Sequence, residues 1–353
     1  MAHTRTQARE AEERRRNAPV IATNALIPLL QEAEARGVST TAWFDDLGVA
    51  RAQIDDPVLR LSYRQASTLI HRAVAAVPGP FGLAVGQRQS MATMGVLGLA
   101  MMTARNVGDA VGVAMRHHQV GGSIMDPSVE PISAQAVALV ARPRFDDPDI
   151  LVFLCEELFG SSLMMGRELV GDSFRPLALE LTYAAPAWAS DYRRAFGCPV
   201  RFGCAENRAV IDAALLAQPL PTHHPASARQ AEALCRQLET EQGDRDRLVA
   251  DVERLLRSQL AENPRLPEIA KRLNLTERSL RRHLAASGQV FRGIHERVRA
   301  ERALELLKAG RLSIADIGCA VGFSDAREFR RAFKRWTGMA PRDLRDHGEL
   351  LGA

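Results

Sequence analysis

One pattern near the C-terminal end is written twice, and it leaves few folds open to that part of the chain. Glu268-Ile269-Ala270-Lys271-Arg272-Leu273-Asn274-Leu275-Thr276 returns 48 positions later as Asp316-Ile317-Gly318-Cys319-Ala320-Val321-Gly322-Phe323-Ser324. Each copy runs acid, Ile, small residue, short helical stretch, turn-permissive residue, apolar plug, hydroxyl. Pro267 suits an early helix position, where its missing N–H is harmless. Ala270 and Gly318 are small where two helices cross closely. Asn274 and Gly322 tolerate the left-handed backbone of a tight turn. Leu275 and Phe323 plug the space beneath that turn. Thr276 and Ser324 are good N-caps for the helix that follows.

Two helices joined in this way are the layout of a helix-turn-helix, whose second helix enters a DNA major groove. The two motifs are expected at about 266–287 and 314–337. In the first recognition helix Leu280 and Leu284 point inward, and Arg278, Arg281 and Arg282 lie opposite. In the second, Phe329, Ala332, Phe333 and Trp336 follow the i, i+3, i+4, i+7 rule of a buried stripe. Arg327, Arg330, Arg331 and Lys334 occupy the other side. A guanidinium fork grips guanine O6 and N7, or a phosphate, with two bonds. Any one of these cations reads equally well as a solvated surface group or a partner for Glu277 or Glu328. Two matched sets on two matched helices point to DNA. Helix ends, Arg335 included, favour phosphate over bases. A helix predicted over Phe291–Lys308 joins the two motifs, with Ala300, Ala303, Leu304 and Leu307 as its apolar stripe and Gly310 as its stop. At about 1.5 Å per residue it is a rod of roughly 27 Å, close to the spacing of about 34 Å between successive major-groove faces.

Charge divides along the same line. Residues 245–345 hold 23 Lys and Arg against 13 Asp and Glu, whereas the rest of the chain holds 23 against 29. A basic segment joined to an acidic one suits a nucleic-acid binder attached to something that does not touch DNA. The five cysteines, Cys155, Cys198, Cys204, Cys235 and Cys319, are scattered with no CxxC pair. That disfavours a disulfide framework or a structural zinc site and suits a reducing cytoplasm. The apolar run around Gly95–Ala104 is too short to span a bilayer, so no membrane partner is expected.

The 353 residues suffice for two domains. Residues 1–19 carry Arg14-Arg15-Arg16 with no apolar core behind them and read as a disordered tail, not a signal peptide. Helices are expected at Ile21–Arg36 (closed by Gly37), Leu61–Val77 (ended by Pro78-Gly79-Pro80), Thr93–Gln119 and Ile150–Val170. Strands are expected at Ala136–Ala141 and Leu177–Tyr183, with a hairpin of Pro199–Gly203 and Ala209–Asp212. A mixed α+β sensor domain thus covers 20–225. Ala214–His224, with Pro219 and Pro221, reads as irregular linker. Residues 226–244 form a linker helix region, Gly243 precedes the next domain, and 245–347 are all helical.

This arrangement resembles the AraC/XylS family of bacterial transcription regulators. The matching signature runs from Leu248 to Arg345. Its most specific stretch is Ile314-Ala315-Asp316-Ile317-Gly318 through Val321-Gly322-Phe323-Ser324-Asp325, then Phe329-Arg330-Arg331-Ala332-Phe333-Lys334-Arg335-Trp336-Thr337-Gly338-Met339-Ala340-Pro341. Gly318-Cys319 departs from the usual Ala followed by a larger residue, and His283-Leu284 stands where many members carry an aromatic residue. Phe196-Gly197-Cys198-Pro199-Val200-Arg201-Phe202-Gly203, Ile211-Asp212-Ala213-Ala214-Leu215-Leu216 and Pro219-Leu220-Pro221 resemble the effector-binding and dimerisation domain of the ornithine-utilisation and mycobacterial virulence-regulator branch. The resemblance implies a cytoplasmic homodimer that binds promoter DNA, answers a small-molecule effector and engages RNA polymerase as an activator. A ligand-independent repressor or architectural binder is the alternative, and a DNA-repair enzyme with a reactive cysteine a remoter one.

No cofactor, metal or catalytic residue is expected. The adjacent pairs His117-His118 and His223-His224 point about 100° apart on a helix and rarely share a metal. Gly160-Ser161-Ser162 lacks the GxSxG nucleophile elbow. Met91, Met94, Met101 and Met102 read either as core or as the wall of an adaptable apolar pocket.

Overall fold

The computed structural model describes residues 12, 13, 15–56 and 59–350, with side chains as far as Arg345. The chain divides into two compact units, the first ending at Gly243 and the second beginning at Asp244.

The first unit opens with strand β1 (Pro19–Ala22), which pairs antiparallel with β2 (Arg60–Ser62). Five helices follow: α1 (Ile27–Ala35), α2 (Tyr63–Ala76), α3 (Phe81–Gln87) and, after them, the pair α4 (Val96–Met102) and α5 (Val107–Arg116). Strands β3 (Met125–Pro131) and β4 (Ala136–Pro143) precede the long helix α6 (Pro148–Val170). Then come β5 (Ala178–Glu180), α7 (Ala189–Phe196), β6 (Val200–Arg201) and β7 (Arg208–Asp212). The five strands form one mixed sheet in the order β3-β4-β7-β5-β6, antiparallel except for the β5–β6 pair. The core between helices and sheet is built from side chains such as Leu29, Leu69, Ile70, Phe81, Ile150, Phe159, Leu179 and Phe196. The Glu156 carboxyl group is buried in this unit. The Glu156 carboxylate accepts from Trp188 Nε1 at 2.7 Å and Tyr192 OH at 2.6 Å, tying α6 to α7. Burial pushes its pKa above the usual carboxylate range.

Several expectations need correction. The segment 21–36 is not one helix, because Val20 and Ile21 extend in β1 and Pro28 starts the helix afresh at its first turn. The segment 93–119 holds two helices; Asn106 interrupts it, and its side chain caps α5 by accepting from Asp109 N at 2.7 Å. The expected hairpin does not form, since β5 lies between β6 and β7 in the sheet. The edge strand β3 was not foreseen; Pro127 and Pro131 obscure it, and an edge is where a sheet tolerates proline. Residues 214–224, expected within the first domain, are not an irregular linker: Ala213–Ala217 is a 3-10 turn, Pro219 bridges to Asn106, and Leu220 is buried. The linker helix expected within 226–244 is longer, for α8 runs from Pro225 through Gly243 to Ser258. Of the expected tail, residues 1–11 and 14 lie outside the described residues. Arg16 packs over the Tyr63 and Phe145 rings. His117 and His118 turn to separate partners, Glu239 and the Met115 carbonyl.

The second unit is all helical. After the end of α8 come α9 (Leu266–Arg272), α10 (Glu277–Ala286), α11 (Phe291–Ala309), α12 (Ile314–Ala320), α13 (Ala326–Thr337) and α14 (Pro341–Leu350). They enclose their own core, which includes Val252, Leu256, Ile269, Leu280, Ile294, Val298, Ile317, Phe329 and Phe333. No single described helix is long and apolar enough to cross a membrane.

Candidate nucleic-acid interface

Both copies of the repeated pattern fold into two helices joined by a left-handed turn. In the first, α9 and α10 meet at Asn274, φ +55°. Ala270 and Leu280 are buried where the helices cross. Thr276 caps α10 by accepting from Ser279 N at 3.1 Å. In the second, α12 and α13 meet at Gly322, φ +82°. A Cβ on Gly318 would sit 3.2 Å from Phe329, which is why this position is small. The expected cap Ser324 is displaced by its neighbour: Asp325 holds the N-cap position, and its carboxylate accepts from Arg327 N at 2.7 Å. Asp325 also brings a negative charge to the positive end of the helix dipole, a gain Ser324 could not supply.

The seven cations expected to face DNA are all exposed. Arg278, Arg281 and Arg282 stand on α10, and Arg327, Arg330, Arg331 and Lys334 on α13. Arg281 is paired with Glu277 at 2.5 Å. Among the described residues the other six side chains make no ion pair, so their charges face solvent. The buried faces behind them are Leu280 and Leu284 on α10, and Phe329, Ala332 and Phe333 on α13.

The connecting helix α11 has 19 residues, about 28 Å at about 1.5 Å per residue. It buries Ile294, Val298, Ala303 and Leu307, a stripe that overlaps the expected one only at Ala303 and Leu307. Residues missed in the sequence hold it in place. Arg299 donates to Asn263 Oδ1 at 2.6 Å and to the Gly322 carbonyl at 3.0 Å, and stacks over Phe323 at 4.6 Å. Arg335, expected at phosphate, pairs with Glu296 of α11 at 3.1 Å. Arg297 pairs with Glu253, and Arg257 with Glu301. A cleft of about 480 Å3 opens between α11 and α13, bordered by Arg292, Arg299, Arg331 and Arg335 with His295 and Trp336. Burial, helped by the Arg299 charge, pushes His295 down to about 4, so its imidazole is neutral. No periodicity in the sequence marks these contacts, because each joins residues more than a helix apart.

The family described as the arabinose-binding domain of AraC transcription regulators matches residues 37–220, and a helix-turn-helix domain family matches residues 269–347. The first match alone covers more than half of the chain. The chain belongs to the AraC family of transcription regulators. Within that family it is 30% identical to the ornithine utilization regulator of Pseudomonas aeruginosa over 331 residues, 93% of this chain and 96% of that one. It is 30% identical to the regulator VirS of Mycobacterium tuberculosis over 190 residues, 53% and 55% of the two chains. Among solved structures, the transcriptional regulator CdpR of Pseudomonas aeruginosa aligns over 90% of this chain and 96% of its own at 25% identity, with a TM-score of 0.47. Both of these sequence relatives carry the names of regulators. The two-domain architecture expected from the sequence, a mixed α+β unit followed by an all-helical one, is the one observed.

Proposed function

We propose that this chain is a cytoplasmic, homodimeric activator that binds promoter DNA through both helix-turn-helix motifs and is controlled by a small molecule held in its N-terminal unit. The observation that carries the DNA contact is the pair of matched helices whose Arg278, Arg282, Arg327, Arg330, Arg331 and Lys334 side chains are exposed and have no ion-pair partner among the described residues. A well-formed side-chain contact to a base is worth about 1–3 kcal/mol. The scattered free cysteines favour a reducing compartment.

The test begins with a duplex enriched by in vitro selection on the full chain. Fluorescence anisotropy should then give at least about a tenfold loss of affinity in the double variant Arg327→Ala, Arg331→Ala. Log affinity should fall linearly with log salt, by about 0.9 per phosphate contact. Unchanged affinity, or a flat salt dependence, overturns the assignment of these residues to DNA. Sedimentation of the full chain at micromolar concentration tests the dimer, and a promoter–reporter fusion tests activation.

A further inference from the structure

The first unit contains a cavity of about 120 Å3. Most of its wall comes from α5 through Val111 and Met115, α6 through Met165 and Leu169, and one face of the sheet through Leu139 and Ile211, with Met101 of α4 and Leu215 and Leu216 adding to it. Strand register explains the shared face, since Val137 stands opposite Ile211 and Leu139 lies two residues further along β4. Among the described residues the only polar side chain on the lining is Ser162, whose hydroxyl already donates to the Leu158 carbonyl at 2.7 Å. No charged residue among the described ones lines it. Of the four methionines singled out in the sequence, only Met101 reaches this wall; Met115 and Met165 do the rest.

This lining selects its ligand by chemistry. A sugar or an amino acid would bury hydroxyls or charges with nothing to pair them, at a cost the surrounding hydrocarbon does not offset. A hydrocarbon surface meets no such cost. Dry apolar cavities of about 150 Å3 take up benzene, so the size suits one ring or a short acyl segment. The flexible thioethers let the wall adapt.

Helix α5 has a second face. At about 100° per residue, Val107, Val111 and Ala114 point to the cavity while Gly112 and Arg116 point away from it. That far side faces α8: Arg116 pairs with Glu232 at 3.1 Å, and His117 Nδ1 lies 2.9 Å from Glu239. Ala231 and Cys235 of α8 are buried in the same apolar cluster as Ala110 and Val113 of α5. The helix so held continues to Ser258, past the end of the first unit at Gly243.

We propose that this cavity is the effector site, that its ligand is an apolar small molecule of single-ring or short-acyl size, and that occupancy acts by moving α5 against α8. The inference rests on the effector-controlled reading above and gives it a site and a ligand class.

The test uses the full chain with fluorobenzene as probe, followed by fluorine NMR. Saturable binding is expected, weakened at least about tenfold in Val111→Trp, which fills the space from α5. Leu139→Ala, which enlarges it, should admit 1-fluoronaphthalene. No binding to the wild-type chain, or equal binding to wild type and Val111→Trp with Leu139→Ala also without effect, overturns the site. L-Arabinose or L-ornithine binding that Val111→Trp abolishes overturns the ligand class. Fluorobenzene should change affinity for the selected duplex, and Glu239→Gln should remove that change while leaving probe binding within about twofold. Saturation with no change in DNA affinity overturns the regulatory role. The Arg327→Ala, Arg331→Ala result is separate: its failure would sink the DNA reading and leave the cavity result standing.

Discussion

Gly322→Ala probes why the two motifs, so alike in pattern, use different turn residues. Asn274 and Gly322 both have positive φ, +55° and +82°, so a left-handed backbone alone does not demand glycine. The difference is space. A Cβ on Gly322 would lie 2.3 Å from the Leu260 carbonyl oxygen and 3.0 Å from the Arg299 guanidinium. Gly310 and Gly338 in the same unit have φ of +67° and +77° with nothing within 4 Å of an added Cβ. They serve as internal controls. Left-handed backbone costs a non-glycine residue about 1 kcal/mol, which is the whole penalty expected for Gly310→Ala or Gly338→Ala. Gly322→Ala adds displacement of a backbone carbonyl, an overpacking cost of about 2 kcal/mol. The total of about 3 kcal/mol corresponds to roughly a 150-fold rise in local opening, against roughly fivefold for each control. Hydrogen exchange of the full chain, read by mass spectrometry over peptides spanning α12 and α13, measures this opening. Equal effects at the three positions would show that crowding against Leu260 is not what selects glycine.

Two further outcomes follow from the same unit. His295 is held near 4 in the folded chain against about 6.5 when unfolded. The unfolded state therefore binds more protons between those values, and stability is full above about 6.5 and lost as pH falls toward 4. Since the ring is only partly buried, the discounted loss from pH 7 to 5 is about 1 kcal/mol; urea midpoints at the two pH values should differ less in His295→Asn, and an unchanged difference would remove His295 as the cause. Asp325→Ala should cost the second motif about 1 kcal/mol as a lost N-cap, while Ser324→Ala should cost almost nothing; thermal unfolding that ranks them the other way would restore Ser324 as the cap.

The C-terminal unit was legible in the sequence because its determinants are local. The crossing residue, the turn residue, the plug and the outward cations all fall within some twenty positions of one another, and helical periodicity sorts them into faces. Gly318 and Phe329, eleven positions apart, meet as their spacing implies. The cap was misassigned by one residue because Ser324 and Asp325 are both competent caps, and only the path of the backbone chooses between them. The clamp by Arg299 escaped notice for a different reason. Asn263, Arg299 and Gly322 are brought together by tertiary packing, and an arginine on a helix with many arginines carries no mark of its partner.

The N-terminal unit was less legible because its sheet is not built from neighbours. Strand β5 separates β6 from β7, so the two runs that looked like a hairpin belong to different positions in the sheet. The buried Asn207 completes this crossover: its Oδ1 accepts from Thr182 N at 2.9 Å and from the Thr182 hydroxyl at 3.1 Å, a long-range pairing that satisfies backbone at the turn after β5. The cavity is nonlocal in the same sense. Val111, Leu139, Met165 and Ile211 come from four elements spread over a hundred residues, and each alone reads as ordinary core. Only their failure to fill the space between α5, α6 and the sheet distinguishes them. The proposed DNA contacts thus lie on contiguous helices that a sequence exposes directly, whereas the proposed site for an apolar ligand is written in what four distant side chains leave unoccupied.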